Sequence, residues 1–173
     1  MLLKRLAIIT ASAGVIASAG LILAGEIRTM QVQSSPQQKI FLEGHIPSPA
    51  PKEFYAGSVP GMTDSPWKGK RFDPSHASGI NVFVNQGKAT AKFPFKTSTG
   101  AGARDPQVQV LRIKYNNPEN PWWVRIFLDE VVATSPGNLL GKLSLELVPG
   151  RPYQITFFEL QKDSSRYKSV PQN

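Results

Sequence analysis

Two histidines are present, His45 and His76, and the second stands three residues after Asp73, with Asp64 nearby. Imidazole and carboxylate at that spacing could share a metal or pass a proton. Pro74 between them works against a helix that would aim both side chains the same way, and no third ligand stands close in the sequence. Cysteine is absent, which excludes disulfides, thiolate metal sites and a thiol nucleophile. Gly57-Ser58-Val59-Pro60-Gly61 sets its serine one place too early for a nucleophile elbow. Ser98-Thr99-Gly100-Ala101-Gly102 lacks the Gly-Lys-Ser/Thr ending of a phosphate-binding loop, and no helical pattern follows it. The adjacent carboxylates Asp129 and Glu130 read as a solvated pair in a tight connection. The expectation is a chain that is not an enzyme, with no catalytic or metal-ligating residues and no cofactor.

Binding chemistry has better candidates. Trp67-Lys68-Gly69-Lys70-Arg71-Phe72 interleaves cations with aromatics. It reads either as an anion- or glycan-contacting patch, or as a loop pinned by Trp67 and Phe72 with its basic heads in water. Arg104 sits in the glycine-rich stretch as a further contact residue, and Trp122 and Trp123 stand side by side, one of them expected to face outward. The formal charge of +8 favours anionic surfaces such as acidic glycans, lipid headgroups or acidic protein faces. No dense Lys/Arg run points to nucleic acid.

The elements that must position these residues follow from the punctuation. Fifteen prolines and fourteen glycines fall between short apolar runs, the pattern of an all-β domain. Lys4 and Arg5 precede an uncharged apolar run from Leu6 to Gly25, long enough as a helix to cross a bilayer core. Residues 1–27 are therefore either a cleaved secretory signal, with Ala17-Ser18-Ala19 at the cut, or a retained membrane anchor. Both place the remainder outside the cytoplasm. Residues 28–38 read as a polar linker, and 39–46 as a first, peripheral strand. The proline-rich segment 47–78 reads as an irregular cover. Ile80, Val82 and Val84 alternate toward a turn at Asn85-Gln86-Gly87-Lys88, and the chain returns with Ala89, Ala91, Phe93 and Phe95 on one face, Pro94 marking a bulge or an unpaired edge. Leu111, Ile113 and Tyr115 point inward from the next strand, with Val108 and Val110 on the opposite face. Residues 122–128 and 131–133 follow as strands, and Leu143, Leu145 and Leu147 point inward from the next.

Leu147-x-Pro149-Gly150-x-x-Tyr153, followed by the alternating Ile155 and Phe157, resembles the tyrosine corner of fibronectin type III and related immunoglobulin-like domains. The resemblance implies an antiparallel β-sandwich over residues 39–170, preceded by the N-terminal hydrophobic helix. Its last strand would lie near Arg166 to Val170. Such domains are mostly adhesive or structural. The functional expectation is a non-catalytic, exported or membrane-tethered accessory module that binds another protein, itself membrane-associated. The alternative is a carbohydrate-binding module that stacks sugars on Trp67 and on whichever of Trp122 and Trp123 is outward.

Overall fold

The structure is a computed structural model that describes residues 20–148, 150–167 and 170. The basic start, the apolar stretch 6–19 and the signal-or-anchor alternative it carries lie outside the described residues. Among the described residues no helix is long and apolar enough to cross a membrane.

The chain is helical over 20–33 (α1), turns at Ser34-Ser35, and re-enters helix at Pro36–Glu43 (α2), with Ser35 at the N-cap and proline in the first turn. Proline suits that position because the N–H it lacks would have had no partner. The expected linker and peripheral strand are thus helical through Glu43. Gln38 and Phe41, three apart, are the buried pair of α2, which is helical spacing rather than strand alternation. Only His45 retains a strand-like contact, an isolated bridge to Ala133.

Eight antiparallel strands follow: β1 Glu53–Ser58, β2 Trp67–Asp73, β3 Ser78–Asn85, β4 Lys88–Ala101, β5 Gln109–Lys114, β6 Phe127–Ser135, β7 Asn138–Leu145 and β8 Tyr153–Lys162. Each pairs with the next, and β8 returns to β1 through Tyr55↔Lys162 and Ser58↔Glu159, so the sheet closes into a barrel. The all-β antiparallel expectation holds, but the sandwich and its tyrosine corner do not. A corner needs a second sheet to turn into, whereas Leu145 pairs directly with Tyr153 and residues 146–152 merely connect neighbouring strands. Leu147, expected to point inward, is 56% exposed. The Tyr153 ring instead lies against Gly25 of α1. Closure also removes the free edges that a sandwich must protect.

The hairpin of β3 and β4 turns on Gln86 and Gly87, both at positive φ (50° and 74°), the two-residue geometry that matches strand twist. Pairing runs Asn81↔Lys92 and then Ile80↔Pro94, which leaves Phe93 as the bulged residue at φ 60°. The bulge switches faces: Ala89 and Ala91 pack on the outside with Ile80 and Val82, while Phe93 and Phe95 turn into the barrel. The expected strand over 122–128 is a turn as far as Ile126. Asp129 and Glu130 lie within β6 and are buried, not solvated in a connection.

Inward positions build one core inside the barrel, including Tyr55, Phe72, Phe95, Ile113, Val131 and Leu160. A second layer lies outside, where Val32 and Phe41 of the helices cover Val110, Val132, Leu140 and Phe157. Val170 and Tyr167 cover the outer face at Phe54 and Val82. Arg166, Tyr167 and Val170 are not in a strand. The expected final strand is a covering segment wherever it is described.

Candidate functional site

At one end of the barrel, bounded by the connections 59–66, 86–87, 115–126 and 146–152, the interior opens into a cavity of about 270 Å³. Its walls are mainly apolar and aromatic, with Trp67, Phe93, Trp123, Phe127, Leu143 and Phe158 among them. Lys70, Asn81, Tyr115 and Asp129 reach into it from four strands or strand ends. Period-two alternation delivers them. On β6 the inward set is Phe127, Asp129, Val131 and Ala133, and on β2 it includes Lys70 and Phe72, with Lys70 in register with Asn81 of β3. Tyr115 directly follows β5, continuing the inward series of Leu111 and Ile113.

These four side chains form one hydrogen-bonded cluster. Lys70 Nζ lies 2.8 Å from Asp129 Oδ2, donates to Asn81 Oδ1 at 2.9 Å and approaches the Tyr115 hydroxyl at 2.5 Å. The Tyr115 O–H donates to the same Asp129 oxygen at 2.8 Å. Trp67 Nε1–H donates to Asn81 Oδ1 at 3.0 Å, so the indole, the ammonium and the carboxamide are fixed together. Lys70 is 3% exposed and Asp129 1%. The rings of Trp67, Phe95, Tyr115 and Phe158 stand 5.3–5.5 Å from Nζ, close enough for cation–π attraction to offset part of the desolvation. Burial pulls the Lys70 ammonium below its ordinary pKa, and Asp129 opposes that shift. Burial first, and the Asp129 charge second, hold the Tyr115 phenol well above its usual range, so it remains a donor. The second carboxylate oxygen, Asp129 Oδ1, is buried and has no protein partner. A buried acceptor in that condition costs about 1–3 kcal/mol unless something donates to it.

A second buried charged group lies outside the barrel wall, beneath α2. Lys142 Nζ contacts Asp105 Oδ2 at 2.6 Å and stands 4.1 Å from the Phe41 ring centre. Gln38 donates to the other Asp105 oxygen at 2.8 Å, and Glu130 accepts from the Ala103 N–H at 2.7 Å. These bonds fix the 102–106 connection against β6 and β7. Burial raises the Glu130 pKa, and the Ala103 N–H and Lys142 only partly counter it.

The contact residues expected from sequence separate. Trp67, Lys70 and Trp123 meet at the cavity, with the Trp123 ring edge-on to Phe93 at 5.7 Å. Trp122 stands beside them, 76% exposed. Lys68 donates to the Ser65 carbonyl at 2.8 Å. Arg71 pairs in register with Ile80, an outward position. Arg104 bonds the Pro152 carbonyl at 2.9 Å and Glu26 at 3.1 Å, tying its loop to α1. The basic stretch is therefore a strand whose central lysine faces inward, neither a surface patch nor a pinned loop with all its cations in water. Asn81 was not singled out from sequence, Tyr115 was read only as an inward core residue, and Asp129 was read as solvated, whereas it is 1% exposed. Their signal was a charged residue at an inward position, Asp129 two before Val131, which makes sense only with a buried cation opposite. Asp73 Oδ2 and His76 Nδ1 do meet, at 2.6 Å and exposed; among the described residues no group of three or more His, Asp or Glu is placed to hold a metal. No protein-family model, curated protein or solved structure matches the chain.

Proposed function

We propose that the barrel binds a small amphipathic molecule in its mouth cavity, an apolar body that carries a hydroxyl or another hydrogen-bond donor. An eight-stranded barrel has an interior just wide enough to be filled by side chains or to hold one small ligand. The volume here sits near the lower end of ligand pockets, which run from about 300 to 1,000 Å³. The observation that carries the reading is the unpartnered Asp129 Oδ1 on a side chain that lines a mainly apolar cavity. Lys70, Asn81 and Tyr115 are engaged with one another, with Asp129 Oδ2 and with Trp67, so the remaining acceptor selects a donor-bearing ligand. Binding rather than turnover is favoured because the Lys70 charge is neutralised by Asp129 and the phenol is held protonated. Membrane-associated and extracytoplasmic placement, expected from the apolar N-terminal run, suits a carrier of such molecules.

Titration of tryptophan fluorescence with n-alkanols of increasing length tests this. Alkanols are expected to perturb the emission saturably, and alkanes of equal length to bind more weakly. Leu143→Trp, which fills the cavity, is expected to lower alkanol affinity at least about tenfold, the equivalent of about 1.4 kcal/mol. No saturable response to any alkanol in the wild-type chain would refute the reading. Glycan stacking has less support from the geometry, since the Trp67 ring is built into the cavity wall and only Trp122 and Trp123 remain exposed.

A further inference from the structure

The exposed apolar side chains gather at the open end of the barrel. Met62 lies in the connection between β1 and β2, Trp122 and Trp123 between β5 and β6, and Leu147 and Val148 between β7 and β8; all are exposed. These connections surround the cavity mouth. Helix α1 adds to the same end. It runs alongside β8, with Gly25 against Tyr153, Thr29 Oγ1 accepting from the Gln154 N–H at 2.9 Å, and Arg28 Nε donating to the Ile155 carbonyl at 2.7 Å. Residues 20–24 therefore project past the start of β8, beyond the mouth, where Leu21, Ile22 and Leu23 are exposed, Leu21 at 72%. Elsewhere among the described residues the exposed large apolar side chains are Ile27, Met30, Ile40 and Leu42, all on the helices.

We infer that this end of the molecule docks on a phospholipid bilayer, with the cavity mouth toward the lipid. Several independent segments converge on one rim, and exposed apolar surface of that kind marks a docking site. The occupant follows from the chain that leads to the rim. Residues 6–19 contain no charged side chain, and they join the described structure at residue 20, at the mouth end. Two adjacent tryptophans suit the headgroup level of a bilayer, where an apolar ring with one polar N–H is at home. A solvated rim on a tethered domain has no need of five apolar side chains besides those of α1. The inference stands apart from the ligand reading, because it rests on the outside of the mouth and not on the cavity floor.

The test is depth-resolved quenching. The full chain is reconstituted in vesicles of phosphatidylcholine and phosphatidylglycerol, with and without bromine on the upper part of the acyl chains, and tryptophan emission is compared. Docking predicts co-flotation, strong quenching in the brominated vesicles, and loss of most of that quenching in the Trp122→Phe/Trp123→Phe variant. Trp122 is 76% and Trp123 47% exposed, and a cooperative thermal transition of the variant is the check that it remains folded. Co-flotation without quenching would mean that the domain is held by its N-terminal run with the rim elsewhere, against a second copy or another protein, and would overturn the inference. Failure to float would overturn it as well.

Discussion

Lys70 and Asp129 are held in a setting where either charge by itself is expensive. Replacing Lys70 by methionine strands the Asp129 carboxylate among aromatic rings, and loss of one member of a buried pair costs about 3–5 kcal/mol. Lys70→Met/Asp129→Leu removes both charges and is expected to cost less than the single change. Urea unfolding of the two variants against wild type measures the difference. Glu130 provides the opposite case, a carboxylate whose folded pKa lies above its unfolded one. Its contribution to stability is fully present below the unfolded pKa and is lost as pH rises through the folded value. Glu130→Gln, which mimics the protonated form, is therefore expected to gain on wild type from acid to neutral pH, read as a widening gap in melting temperature. None of these charges was legible as buried. A sequence shows that Asp129 precedes Glu130 but not that a covered outer face lets both sides of β6 be dry.

The strands were legible where apolar and polar residue types alternate along the chain, even though Ile80, Asn81 and Val82 of β3 are buried on both faces. The β3–β4 hairpin has clean alternation around Gln86-Gly87, and both the turn and the irregularity at Pro94 were visible; the face switch at Phe93 was not, because a bulge changes side without changing residue type. β6 failed for the reverse reason. Leu128 to Ala133 is buried throughout, so it carries no alternation to separate it from the turn before it. Interior close contacts add a constraint at β7. A methyl group on Gly141 would collide with the Phe158 ring, and overpacking of this kind costs about 1–3 kcal/mol. Gly141→Ala is expected to lower the unfolding free energy by that amount, read as a fall in the urea midpoint, whereas Gly87→Ala meets nothing within 4 Å and is limited to the strain of its positive φ.

At the scale of the molecule, the all-β class followed from proline and glycine punctuation, but closure did not. Sandwich and barrel strands have the same pattern, and what separates them is whether the last strand reaches the first. Here it does so over a short seam, Tyr55↔Lys162 to Ser58↔Glu159, against the longer pairing of β7 with β8 from Asn138 to Leu145. Amide exchange is expected to be faster across β1–β8 than across β7–β8, measured by hydrogen–deuterium exchange with residue resolution. The cavity depends on that seam, because Trp67 and Val59, which flank the mouth, hang from β1 and β2.

That seam also fixes an order of events during synthesis. Every other pairing joins consecutive strands and can form as the polypeptide emerges, but β1 waits for Tyr153–Lys162, the last strand of the barrel. Until translation delivers β8, β1 and the advancing strand both display raw backbone groups to any neighbouring chain. A chain cut off before Tyr153 cannot close the barrel and is expected to aggregate through those two open edges.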